Sequence, residues 1–350
     1  MKVLIAAGGS GGHLFPARQL ALMLQKEGEC KILFAGYKLS ESPFFEKEGI
    51  AFREIRSAPF ANIFPFLKAL CVGFCESASL LRKFKPDVVV GFGSYHSFPI
   101  LLASFILRKK IVLFEANTTL GKVNRLFAGG AKTVAIQFPV AGSYPKTFVP
   151  FLPWGGRKRE IPQEEARLKL GLEKELFTLL VFGGSQGASF LNDALVKAAP
   201  LLQKRGLAFQ VIHLTGKEEE KTKEAYQTHS VRALVKNFEK EMQVAYAAAD
   251  LVISRSGAGT VAELICHQKP ALLIPFPFAA DNHQEKNGHL LADEIKGARL
   301  LLQKEASIEK IVEEIFSMIQ DLSSYKEALM RAFQGAKGRK NLSEIVRSFL

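Results

Sequence analysis

The chain has 350 residues, 48% of them hydrophobic, and a formal net charge of +13. That length suits two domains of ordinary size, the apolar content excludes a disordered protein, and no apolar run approaches the roughly 18 to 20 residues that span a bilayer. The positive charge asks for an anionic partner; no zinc finger, helix-turn-helix or aromatic RNA motif accompanies it, which points away from nucleic acid and towards anionic lipid.

The chain opens on a short apolar run, Lys2 to Ala7, followed by Gly8-Gly9-Ser10-Gly11-Gly12-His13 and a helical pattern from Phe15-Pro16 onward. This reads as strand, glycine loop, helix. Four glycines in five residues are costly in chain entropy and make sense where the backbone turns sharply and approaches something closely. Pro16 suits a first helical turn, and N–H groups at such a start form a site for an anion, most often phosphate. The loop is neither a dinucleotide fingerprint, since Leu14 stands where the last glycine belongs, nor a Walker loop, since no Gly-Lys-Ser/Thr follows. It carries His13, a group able to exchange a proton near neutral pH, although a histidine here can also simply cap or pack.

The first helix ends near Gly28, and Lys31 to Ala35 reads as a second strand. Residues 60–85 combine Phe60, Ile63, Phe64, Phe66, Leu67, Leu70 and Phe74 with a following basic cluster, Arg82, Lys83 and Lys85. A buried helix and a patch that dips into a membrane surface both fit. Cys71 and Cys75, one helical turn apart, read as packing residues; with Cys30 and Cys266 they lack paired metal spacing and suit a reducing cytoplasm. Pro86 to Val90 and Lys109 to Phe114 are further strands with a helix from about Pro99 to Leu107 between them, and the second strand delivers Glu115-Ala116-Asn117. Such alternation implies a parallel sheet whose ligand face lies at the carboxyl ends of its strands.

Prolines, glycines and the basic run Arg157-Lys158-Arg159 mark a linker near 150–165. The chain then repeats its opening device: strand Phe177 to Phe182, loop Gly183-Gly184-Ser185-Gln186-Gly187, and a helix with Leu191, Leu195, Ala198 and Leu202 on one face. A third such unit runs from Leu251–Ser254 through Arg255-Ser256-Gly257-Ala258-Gly259 into a helix opening at Thr260-Val261-Ala262-Glu263. Thr260 and Glu263 have capping-box spacing; alternatively Glu263 accepts hydrogen bonds from two ribose hydroxyls. Strand Ala271 to Pro275 leads to Asp281-Asn282-His283-Gln284-Glu285-Lys286-Asn287, whose amides and carboxylates suit the hydroxyls of a sugar or a plain polar helix start. From Ile308 the pattern is helical, and nothing shows on which domain the end of the chain packs.

The expected fold class is therefore α/β, two Rossmann-like domains with parallel sheets facing across a cleft: residues 1–155, 165–325 and a helical segment 326–350. The expected ligand is a nucleotide sugar. The chain contains no Asp-x-Asp, so no metal cofactor is expected, and helix N-termini would carry the charge of the leaving diphosphate. His13 is the candidate base. With no carboxylate identifiable as a nucleophile, direct displacement with inversion follows.

The glycine loop through Phe15-Pro16, Glu115-x-Asn117, Gly183-Gly184-Ser185-Gln186-Gly187-Ala188, Arg255-Ser256-Gly257-Ala258-x-Thr260-Val261-x-Glu263 and Asp281-x-x-Gln284, in that order, resemble the MurG family of bacterial glycosyltransferases. The resemblance implies the GT-B fold and transfer of N-acetylglucosamine from UDP-N-acetylglucosamine to lipid I, forming lipid II. It also implies an acceptor-binding first domain, a donor-binding second domain, and peripheral attachment to the anionic inner face of the cytoplasmic membrane. Residue by residue, it implies His13 as base and Ser10, Gly11 and Gly12 near the diphosphate. Asn117 and Gln284 match sugar contacts, Ser185 and Gln186 contacts to phosphate and uridine, and Ala258 to Glu263 the ribose side, with Glu263 its carboxylate. Glu239 falls beside the uracil through its backbone, and Arg157 is the candidate nucleotide arginine. Departures stand at Phe114 and Ala116, at Leu152 to Arg157 and at His283. Another lipid glycosyltransferase, a UDP-N-acetylglucosamine epimerase and a silent nucleotide-sugar sensor are the alternatives.

Overall fold

The computed structural model describes all residues except 43, 46–48, 59–62, 152–160, 185–186 and 350, and omits the side chains of 63, 65 and 66. Two compact units emerge, Met1–Leu152 with Gly338–Leu350, and Pro153–Lys337. Residues 326–337 thus belong with the second unit and 338–350 with the first.

In the first unit, strands β1 (Lys2–Ala6), β2 (Lys31–Gly36), β3 (Phe52–Glu54), β4 (Val88–Gly91), β5 (Ile111–Glu115), β6 (Thr133–Ile136) and β7 (Lys146–Phe148) form one parallel sheet in the order β3-β2-β1-β4-β5-β6-β7. The central strands are buried on both faces because helices cover both, which is why they read as unbroken apolar runs. The helices are α1 (Gly11–Lys26), α2 (Ile63–Phe84), α3 (Phe98–Ile106) and α4 (Lys122–Phe127). Helix α1 begins four residues before the expected start, inside the glycine loop, so Pro16 sits within the helix and has no N–H to give the Gly12 carbonyl.

In the second unit, β8 (Phe177–Phe182), β9 (Phe209–Leu214), β10 (Ala233–Lys236), β11 (Leu251–Ser254), β12 (Ala271–Leu273) and β13 (Ala298–Leu300) form a parallel sheet in the order β10-β9-β8-β11-β12-β13. Its helices are α5 (Gln163–Lys169), α6 (Ser189–Lys204), α7 (Glu219–Thr228), α8 (Met242–Ala248), α9 (Ala258–His267), α10 (His283–His289), α11 (Ile308–Ile319) and α12 (Leu322–Gly335). The last helix, α13 (Leu342–Arg347), returns to the first unit. Its capping box of Asn341 and Glu344 fixes its start, Leu342, Ile345 and Val346 enter that unit's core, and Glu27 accepts bonds from Ser343 and Arg347.

Helix α2 is not a buried helix throughout. Its C-terminal half packs through Ser77, Ala78 and Leu81, whereas Phe64 is 83% and Leu67 48% exposed, and Cys71 and Cys75 are exposed rather than packed. Arg82 and Lys83 lie at its other end, about 28 Å from Phe64 at 1.5 Å per residue, so the aromatic end and the basic cluster are not one compact patch. Among the described residues no helix is long and apolar enough to cross a membrane.

Candidate functional site

Each sheet reverses its strand order once, between β1 and β4 in the first unit and between β8 and β11 in the second. Loops leaving the carboxyl ends of strands diverge at such a point and open a crevice for a ligand. All three glycine loops lie there.

In the first unit, Gly9 has φ +88°, and a Cβ on Gly8 would lie 2.6 Å from the His96 Cβ, so the loop lies flat on the His96 side chain and only glycine fits. His96 follows β4, is 7% exposed, and donates through Nδ1 to the Tyr37 carbonyl at 2.8 Å. Burial pushes its pKa down, against the opposing pull of that carbonyl. His13 sits in the first turn of α1, partly buried, with Nδ1 2.7 Å from the carbonyl of Phe92, the residue after β4. A carbonyl can only accept, so the neutral ring carries its proton on Nδ1 and Nε2 is the basic nitrogen. The N–H groups of Gly11 and Gly12 open the same helix next to the exposed Ser10.

Beyond β5 the loop is built around Glu115, which is 4% exposed. Its Oε1 accepts from the backbone and side-chain nitrogens of Asn117 at 3.1 and 3.0 Å, and its Oε2 from Gly121 N and Asn124 Nδ2, both at 2.9 Å. The carboxylate thereby fixes where Asn117 stands.

In the second unit, α9 begins at Ala258 with Gly257 as its extended N-cap, which places Thr260 inside the first turn instead of at the cap. The capping-box alternative for Glu263 fails for that reason. Glu263 is 8% exposed, and its Oε2 accepts from the hydroxyl of Tyr246 in α8 at 2.9 Å. Ala258, Val261 and Ala262 are buried in packing, so beside the Glu263 carboxylate α9 can offer a ligand Gly259, Thr260 and the N–H groups of its first turn. Gln284, at the start of α10, accepts from Phe276 N through Oε1 at 3.0 Å, and its carbonyl accepts from Ser256 Oγ at 2.7 Å. That ties the polar run after β12 to the loop after β11. Glu239, after β10, pairs with Lys236 at 2.7 Å and accepts from Glu241 N at 2.8 Å. Burial opposes its ionisation, but these donors outweigh it and hold its carboxyl below the usual range. Its side chain is thus engaged locally. Ser185, Gln186 and Arg157 lie outside the described residues.

Sequence reasoning missed Arg255 as a site residue. Directly after β11, it is 6% exposed and donates through Nη1 to the carbonyls of Ile274 and Pro275, both at 2.9 Å. Its guanidinium lies 5.6 Å from the Phe276 ring. Burial alone pulls its pKa down to about 10, so it remains a cation held by carbonyls and an aromatic face. An arginine at the first position of a strand-end glycine turn was the available signal. Glu115 stood in the Glu115-x-Asn117 motif but received no role, and Tyr246 gave no signal, because what each does depends on contacts across the fold. Among the described residues no three His, Cys, Asp or Glu side chains are grouped to hold a metal ion.

Residues 3–136 match the glycosyltransferase family 28 N-terminal domain, and residues 178–344 its C-terminal domain. The chain is 39% identical to the UDP-N-acetylglucosamine–N-acetylmuramyl-(pentapeptide) pyrophosphoryl-undecaprenol N-acetylglucosamine transferase of Protochlamydia amoebophila, over 99% of this chain and 95% of that one. It is 35% identical to the transferase of the same name from Thermodesulfovibrio yellowstonii, over 100% and 99%. The crystal structure of Acinetobacter baumannii MurG superposes with a TM-score of 0.79 at 24% identity over 99% of both chains, a likeness of fold. With both domains matched and such relatives aligned end to end, the chain belongs to glycosyltransferase family 28, has the GT-B fold, and is a member of the MurG family of N-acetylglucosamine transferases.

Proposed function

We propose that this protein transfers N-acetylglucosamine from UDP-N-acetylglucosamine to lipid I, an undecaprenyl-diphospho-muramoylpentapeptide, forming lipid II for peptidoglycan. Family membership supplies the substrate class. The observation that carries the mechanism is His13, whose Nδ1–H rests on Phe92 O and leaves Nε2 as the basic nitrogen at the first switch point. His13 takes the proton of the acceptor hydroxyl as that oxygen attacks the anomeric carbon, and the bond to UDP breaks with inversion. The N–H groups at the start of α9 and the buried guanidinium of Arg255 stabilise charge on the departing diphosphate. Glu263 accepts the ribose hydroxyls, while Asn117 and Gln284 contact sugars.

The membrane surface is the second part of the reading. Phe64, Leu67, Phe105, Ile106 and Leu126 are exposed apolar side chains of the first unit, and the net charge of +13 suits anionic lipid better than nucleic acid. Attachment is peripheral, on the cytoplasmic face. Phe64→Asp should lower co-sedimentation with phosphatidylglycerol vesicles severalfold while leaving UDP binding intact; unchanged sedimentation would remove α2 from the membrane contact.

The activity is tested by incubating labelled UDP-N-acetylglucosamine with a lipid I analogue, with and without chelator. Label should enter the lipid-extractable product in both. Tight UDP binding without transfer would redirect the search to a different acceptor.

A further inference from the structure

The carboxylate of Glu263 is held by a side chain with no assigned task. Tyr246 is fully buried, yet its ring is gripped on several sides. It stacks on His267 of α9 at 4.8 Å and 12°, and meets Phe182, the last residue of β8, edge-on at 6.0 Å. Its only polar atom donates to Glu263 Oε2 at 2.9 Å. Burial and the adjoining carboxylate both push ionisation of the phenol well above its ordinary range, so it stays a donor.

We propose that Tyr246 is a positioning residue for nucleotide recognition: its hydroxyl, bonded to Oε2, fixes the plane of the Glu263 carboxylate so that it meets the ribose hydroxyls already oriented. The proposal rests on the reading of Glu263 as the ribose carboxylate. A glutamate has several rotors, and a ligand that must immobilise them loses affinity to the lost rotamer freedom. Here the bond is made before the ligand arrives. The phenol in turn is immobilised by its own helix α8, by Phe182 at the end of β8, which borders the second switch point, and by His267 of α9. Each carboxylate oxygen has two lone pairs, so the bond to Tyr246 leaves Oε2 acceptor capacity.

A tyrosine that merely packs would weaken every nucleotide alike, whereas one that orients Glu263 acts only through the hydroxyls that Glu263 reads. The test is calorimetric binding of UDP and of 2′,3′-dideoxy-UDP to the full chain, to Y246F, to E263A and to the double variant. The wild-type protein should prefer UDP, and E263A should abolish the preference. Y246F should reduce it by about fivefold or more, leave dideoxy-UDP affinity within about twofold, and add nothing in the E263A background. Should Y246F fold poorly, H267A, which withdraws the stacked ring and leaves the hydroxyl, must lower the same ratio. A Y246F protein that keeps the wild-type preference, or weakens both nucleotides equally, overturns the positioning role while the ribose reading stands. A wild-type protein indifferent to the ribose hydroxyls, or an E263A variant that keeps the preference, overturns both.

Discussion

At the switch point of the first sheet the ring of His13 is partly buried and bonds the Phe92 backbone carbonyl. At that of the second, Arg255 and Glu263 are at most 8% exposed and tied down by two carbonyls and a phenol. The topology is the same and the chemistry differs. A group that takes a proton during turnover must change charge, and deep burial would oppose that change. Groups that hold a nucleotide do best when their charge and orientation never vary. On the proposed roles, burial is shallow where the proton would move and deep where the nucleotide would sit.

The harshest way to break this contrast is His13→Ala, which should lower kcat by about a hundredfold to ten-thousandfold, the usual span for loss of a general base. Retained turnover would leave the first switch point without its base.

Burial in the second unit also has a cost in acid. His213, wholly buried at the end of β9 between Tyr226 Oη and Asn192 Oδ1, has its pKa pushed down to about 3 by burial. The unfolded chain takes up its proton near pH 6.5 and the folded chain does not. Stability is therefore full above pH 6.5 and falls as pH drops towards 3, by on the order of 3 kcal/mol at pH 4. Urea unfolding at pH 7 and pH 4.5 should show the loss, and His213→Gln should lessen it.

Next in size is Arg255→Lys. A lysine keeps a charge but cannot bridge the Ile274 and Pro275 carbonyls while presenting a planar fork, so UDP-N-acetylglucosamine affinity should fall about tenfold or more. Unchanged affinity would return the diphosphate to Arg157 or to backbone groups alone.

The mildest effect is expected at the loop's support. Gly8→Ala should lower turnover by about tenfold, because the added methyl meets the His96 side chain. Adding His96→Gly, which removes the Cβ that the methyl would meet at 2.6 Å, should restore part of that loss by making room. No recovery would mean that the loop's strain has another origin.

Much of this arrangement is legible in the sequence. β1, β5, β8 and β11 are short apolar runs, β1 and β8 leading straight into glycine loops, and buried parallel strands have that form. The short edge strands β3, β7 and β13 are three residues each and carry no such run, so they exist only through pairing with a neighbour. The start of α9 was misplaced because Gly257, lacking a side chain, still caps it in an extended conformation. Cys71 and Cys75 have helical spacing, but which side of α2 meets the sheet depends on packing that spacing does not encode. The same holds for Glu115, whose partners are spread from Asn117 to Asn124, and for the return of α13 to the first unit.

The division of labour is tested most directly by measuring UDP affinity and donor-saturated kcat for H13A and E263A side by side. The account predicts that H13A binds UDP within about twofold of wild type and barely turns over, whereas E263A binds UDP at least about tenfold more weakly and keeps most of its kcat at saturation. Equal loss of binding and turnover in both variants would contradict it.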